Sequence, residues 1–197
     1  MTFRAYAAAI LAVLPKGARE VSILAGGALR AYYDSTTVKD YDLFYRNPEH
    51  LRRAALALAE NGFQFIRAVG GSAVWLSPCG REFNLVSLVF GEPEDHVGRF
   101  DFRCCQFAAY YVFNAGGIRG ATALRTLKVN QARVDCRKKR IKLQNNNGTE
   151  RTAKRIEHYE NDYGYSLMGI KLSPNARSRR IRRYVARRPI SGTGHES

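Results

Sequence analysis

The chain has 197 residues, 45% of them hydrophobic and 25% charged, with a formal net charge of +15 at pH 7. That length and apolar content allow one compact domain with an appendage or two small domains, and no run approaches the ~18 apolar residues of a membrane span. Four cysteines (Cys79, Cys104, Cys105, Cys136) form no C-x-x-C pair and no framework with histidine, which fits a reducing cytoplasm and leaves the vicinal Cys104-Cys105 as buried, inert thiols.

Thr2 to Leu14 is expected to form a first helix, capped by Thr2 and stopped by Pro15 and Gly17. It is alanine-rich, but no small-residue cleavage site follows it cleanly, so it is read as an ordinary helix and not as a secretion signal. Val21 to Ala25 makes a short apolar strand closed by Gly26-Gly27. A short helix from Ala28 to Tyr33 and the polar loop Asp34-Ser35-Thr36-Thr37 lead to a strand from Asp40 to Tyr45.

Side chains at i and i+2 of a strand share a side, so Asp40 and Asp42 should project together. Carboxylates that close repel each other unless a cation lies between them. Mg²⁺ is typically held by one or two carboxylates plus substrate phosphates, which makes the pair the expected ligands of Mg²⁺ or Mn²⁺. The double glycine upstream lets backbone amides approach a triphosphate with no Cβ in the way.

Asn47-Pro48 is a helix start, with apolar spacing at Leu51, Ala54, Ala55 and Leu58 and a stop at Asn61-Gly62. Phe63 to Ile66, the break Gly70-Gly71, Ala73 to Leu76 and the turn Ser77-Pro78-Cys79-Gly80 lead to a long strand, Glu82 to Phe90. Glu92-Pro93-Glu94-Asp95 opens a further helix. The apolar stretch Phe102 to Phe113 is expected to be helical, ending near Gly116-Gly117, and Ala121 to Val134 to be another helix. Gln144 to Gly148 reads as a linker, Thr149 as a cap for a helix over Thr152 to Asn161, and Arg177 to Arg188 holds seven arginines in twelve residues.

The charge is unevenly spread. Residues 1–118 carry 12 Lys and Arg against 11 Asp and Glu, whereas residues 119–197 carry 20 against 6. Such a one-sided balance marks a polyanion partner, here nucleic acid. The expected organisation is an α/β (α+β) core over 1–118 with a mixed sheet flanked by helices, a basic helical nucleic-acid-binding region over 119–188, and a disordered tail over 189–197.

Leu24-Ala25-Gly26-Gly27-Ala28-Leu29-Arg30 followed by Lys39-Asp40-Tyr41-Asp42-Leu43-Phe44 resembles the signature of the polymerase-beta-like nucleotidyltransferases: an apolar residue, G-G or G-S, a gap, then D-h-D-h. The G-G-x-x-R version looks most like the tRNA-nucleotidyltransferase and poly(A)-polymerase branch. Phe100-Asp101-Phe102 and the run Arg155, Tyr159, Tyr163-Gly164-Tyr165 are also similar to small nucleotidyltransferase-like proteins common in phage genomes. The specific part of the likeness covers about 20 residues, and the element order extends it over residues 1–115.

What the resemblance implies is a metal-dependent transferase that binds a nucleoside triphosphate such as ATP. Gly26 and Gly27 would contact its β- and γ-phosphates, Arg30 would steady the phosphates or the acid pair, and Asp40 and Asp42 would be the catalytic metal ligands. Most members carry a third carboxylate on a neighbouring strand. The matching position here is Asn84, so the third ligand would have to be Glu82 or Asp101. The basic part would present the acceptor. Arg137, Lys138, Lys139, Arg140 and Lys142, with Arg179, Arg180, Arg182 and Arg183, suit phosphate contacts, and Tyr159, Tyr163, Tyr165 and Tyr184 suit stacking on bases or, equally, core packing. The expected function is transfer of a nucleoside monophosphate to an RNA, tRNA-like acceptors first. The alternatives are a non-catalytic nucleic-acid-binding protein on the same scaffold and a toxin-like transferase acting on protein.

Overall fold

Local signals decide the early elements. In the computed structural model, which describes residues 1–113, 122–168 and 177–188, α1 (Phe3–Leu11) starts where Thr2 Oγ1 accepts the Ala5 amide at 3.2 Å. A single turn, α2 (Lys16–Arg19), follows Pro15. Strand β1 (Ile23–Ala25), α3 (Gly27–Asp34) and β2 (Tyr41–Tyr45) come next, then α4 (Pro48–Glu60), whose Asn47 cap accepts the His50 amide at 2.9 Å. Strands β3 (Gln64–Val69), β4 (Ser72–Leu76) and β5 (Glu82–Phe90) precede α5 (Pro93–Gly98).

The stretch expected to be one helix over Phe102–Phe113 is not helical. It is a 3₁₀ turn at Arg103–Cys105 followed by β6 (Phe107–Phe113). The helix expected over Ala121–Val134 is likewise replaced by β7 (Thr122–Lys128) and the short α6 (Ala132–Arg137). Pairing decides both cases: β6 lies hydrogen-bonded between β1 and β7, with Leu24 opposite Ala109 and Tyr110 opposite Arg125. A strand buried on both faces shows no polar alternation, so its apolar run imitates a buried helix.

The seven strands form one mixed sheet in the order β3-β4-β5-β2-β1-β6-β7. Only β2 and β5 run parallel within it, in a register that sets Asp42 beside Asn84. Alternation along β1 divides the core. Leu24 joins a large cluster with Ile10, Leu11 and Leu58, while Ile23 and Ala25 join Phe44, Val97 and Ala108 on the other face.

The chain ends with β8 (Arg140–Ile141), α7 (Thr149–Tyr163), β9 (Ser166–Leu167) and α8 (Arg177–Ala186), β8 and β9 pairing in parallel. Ile141, Ile156, Tyr159, Leu167, Ile181 and Val185 are buried in the same large cluster as Leu24. The segment expected to be a linker is instead an asparagine clip. Asn145 donates to the carbonyls of Gly98 and Phe100, Asn146 to those of Val185 and Arg188, and Asn147 to that of Arg99 and to the Asp101 carboxylate. Among the described residues, no helix is long and apolar enough to cross a membrane. The expected tail, 189–197, and the side chains of Arg179 and Arg180 lie outside the described residues.

Candidate active site

The chain must turn sharply from β1 into α3, and Gly26 makes this possible with φ +85° and ψ −136°, a conformation open to glycine. A Cβ there would also meet the Phe100 ring at 3.3 Å. The Gly26 amide is spent on the Phe107 carbonyl at 3.1 Å, and the Gly26 carbonyl accepts from Leu29 and Arg30. Among the described residues, the amides of Gly27 and Ala28 are therefore the donors left without a partner in the first turn of α3. Both residues line a cleft of about 280 Å³, and among the described residues no atom beyond the neighbouring helix backbone lies within 4 Å of where a Gly27 Cβ would sit.

Asp40 and Asp42 line the same cleft, at and just before the start of β2. Asn84, beside Asp42 on β5, donates from its one Nδ2 atom to Asp40 Oδ2 at 2.9 Å and to Asp42 Oδ1 at 3.0 Å. Burial and the neighbouring Asp40 push Asp42 up to about 6, an effect that the Asn84 hydrogen bond and the Arg155 charge only partly offset. Two carboxylates converging on one atom, one of them reluctant to ionise, form a site that a divalent cation would complete. The oxygen donors present fit Mg²⁺ or Mn²⁺.

The two third-ligand candidates are not brought to the pair. Glu82 is tied to Arg67 at 3.1 Å. Asp101, fully buried, is held by Arg155 at 2.9 Å and by Asn147. Among the described residues, no group of three or more His, Cys, Asp or Glu side chains is placed to hold a metal.

Arg30 is placed differently from a phosphate ligand on an open surface. It is 3% exposed, with Nε 2.9 Å from Asp34 Oδ2 and Nη2 donating to Thr36 Oγ1 at 2.9 Å. Its guanidinium lies 4.3 Å from the Tyr163 ring centre and 4.6 Å from that of Tyr159. Tyr165 donates to Asp34 at 2.6 Å. The arginine thus locks α3 to α7 through cation–π contacts, its ion pair with Asp34 lying within α3, while it lines the cleft with Nη1 unpartnered among the described residues. Tyr159 and Tyr165 are core residues, 5% and 3% exposed. Tyr163 lines the cleft, and Tyr184 is half-buried.

The far wall of the cleft is α7, which contributes Arg155, His158, Tyr159 and Tyr163. His158 Nδ1 is 2.7 Å from Asp162, which also faces Lys39 at 3.9 Å. Neither His158 nor the placement of Arg155 was legible in the sequence: α7 lies more than a hundred residues from the acid pair, and no local spacing links them.

Of the basic residues, Arg137, Lys138, Lys139, Lys142 and Arg183 are exposed. Lys139 Nζ donates to the Tyr163 carbonyl, Arg140 leans on buried Asp135 at 3.3 Å, and Arg182 pairs with Glu150 at 3.3 Å.

A family model described as "Gabija anti-defense 2 family protein" matches residues 3–116. Among solved structures, a Thermotoga maritima CCA-adding enzyme complexed with tRNA is similar at 12% identity and TM-score 0.58, over 91% of this chain and 42% of that one. An apo CCA-adding enzyme gives 13% and 0.60 over the same shares. A tRNA nucleotidyltransferase complexed with a primer tRNA and an incoming ATP analog gives 12% and 0.54, over 85% of this chain and 47% of that one. No curated protein sequence matches. The chain spans less than half the length of these structures, and at such identities the likeness is one of fold: the nucleotidyltransferase fold of CCA-adding enzymes.

Proposed function

The chain belongs to the Gabija anti-defense 2 family, and from that premise we propose that it is a divalent-metal-dependent nucleotidyltransferase that moves a nucleoside monophosphate from a triphosphate to a nucleic-acid hydroxyl, a tRNA-like RNA being the leading acceptor. One observation carries the reading: Asp40 and Asp42 meet at a single amide in a cleft that also contains the first turn of α3. The neighbours of the same fold, complexed with tRNA and with an ATP analog, support the same class of substrates. The family's anti-defense description gives the setting in which the chemistry would act.

In this reading the triphosphate chain lies at the amides of Gly27 and Ala28, where the helix dipole favours negative charge. Asp40 and Asp42 hold the divalent cation, whose contribution is to neutralise charge at the reacting phosphate. Arg155 adds a fixed positive charge from the opposite wall, held in place by Asp101. The acceptor oxygen bonds to the α-phosphorus, the bond from that phosphorus to the α,β-bridging oxygen breaks, and pyrophosphate leaves. The hydroxyl proton goes to solvent. The exposed Arg137, Lys138, Lys142 and Arg183 hold the acceptor backbone without choosing sequence.

The test is pyrophosphate release on mixing the protein with each triphosphate, Mg²⁺ and RNA. Wild type is expected to release it, and Asp40→Asn/Asp42→Asn to lose at least a hundredfold in rate, the scale seen when a preorganised charge stabiliser is removed. Equal release by the double variant would refute the proposal. The neutral Asn84 favours a second reading, a binding protein without chemistry, which requires RNA binding that neither Mg²⁺ nor the double substitution alters.

A further inference from the structure

We propose that Asn84 is itself the third ligand of the metal, a neutral oxygen donor reached by turning its amide over. The inference rests on the metal-dependent reading of Asp40 and Asp42 and names the residue that completes their site.

Two observations carry it. Asn84 faces both carboxylates at once, at 2.9 and 3.0 Å, from one terminal atom. Two oxygens at right angles on a Mg²⁺ ion, each 2.0–2.1 Å from the metal, lie roughly 2.9 Å apart. The amide terminus therefore already stands at the separation that a third oxygen would need from each of the other two. The other end of the same amide, Oδ1, is buried and has no hydrogen-bond partner among the described residues. A buried carbonyl oxygen left unpaired is costly, and rotation about the last side-chain bond exchanges oxygen and nitrogen with little change of shape.

Without metal, Nδ2 faces the acids and relieves their repulsion. With metal, the same donor would point a positive end at a cation, so the amide turns and Oδ1 takes its place. The β2–β5 register, which puts Asp42 beside Asn84, fixes the side chain for either state. A third carboxylate would make the site net negative around a divalent ion, whereas Asn84 leaves it neutral. The resting protein then holds bare metal weakly and takes it up firmly only with a triphosphate, whose oxygens complete the coordination.

Free Mn²⁺, followed by its electron paramagnetic resonance signal, is titrated with wild type, Asn84→Leu, Asn84→Asp and Asp40→Asn/Asp42→Asn, each checked for native packing by near-ultraviolet circular dichroism. Wild type is expected to bind measurably, Asn84→Leu about tenfold more weakly and Asn84→Asp about tenfold more tightly, since affinity follows the count and charge of oxygen ligands. In wild type, the Asn84 side-chain NH₂ signals should move on adding Mg²⁺. Asn84→Leu binding as wild type does, or Asn84→Asp binding no tighter, would overturn the assignment even if one variant misfolds. Wild type binding no better than the double aspartate variant would instead remove the metal reading of the pair itself.

Discussion

Folding lifts the Asp42 carboxyl from 3.8 to about 6, burial first and the Asp40 charge second. The folded chain keeps a proton that the unfolded chain has released over that interval. Stability from this group is therefore fully present below about pH 4, falls as pH rises through 6, and is missing at neutral pH. Asp42→Asn keeps the shape and can still accept from Asn84, but it carries no charge. It is expected to raise the metal-free melting temperature at pH 7.5 by about 3–6 °C, and much less at pH 4, where wild-type Asp42 is already protonated. An equal gain at both values, or a loss at pH 7.5, would show that the ionised pair carries no strain. The carboxylate pair is thus stored repulsion, partly offset by the Asn84 hydrogen bond.

At the scale of elements, the site depends on how α7 is fastened to the sheet. Arg30 fixes one side of it through the rings of Tyr159 and Tyr163. Asp101 fixes the other side by holding Arg155 and receiving Asn147. Removing one partner of a buried charge pair leaves the other uncompensated. Since the Arg155 side chain is a third exposed, Asp101→Ala should cost about 2–4 kcal/mol in urea unfolding, against less than ~1 kcal/mol for a surface pair such as Lys154–Glu150. A loss no larger than the surface pair's would contradict this fastening role. Such long-range pairings explain what the sequence shows and what it hides. The Asn47-Pro48 helix start, the Gly26-Gly27 turn and the β4–β5 hairpin are written in neighbouring residues and appear where expected. Strands β6 and β7 are not, because Phe107–Phe113 owes its form to pairing with β1 and β7 on either side. The convergence of Asp40 with Asp42 was legible from strand alternation. The bond to Asn84 and the α7 wall were not, since parallel register and helix docking leave no local pattern.

For the molecule as a whole, the sheet, the acid pair and the basic end form one connected device. The glycine turn and the acids come from the nearly neutral first 118 residues, and the surplus cations from the last 79. Helix α7 belongs to both, since it walls the cleft and packs against arginine-rich α8. The Asn146 clip ties the end of α8 back to the segment before α7. In the proposed function, a polyanion held by α8 and the exposed lysines would lie against the helix that faces the acid pair, and its affinity is expected to fall steeply as salt rises. The most direct measurement compares RNA incubated with the protein, Mg²⁺ and a triphosphate labelled at either the α- or the γ-phosphorus. The account predicts that α-label becomes covalently attached to the RNA while γ-label is recovered as pyrophosphate. Attachment of γ-label, or no attachment from any triphosphate under conditions where the RNA is bound, would contradict it.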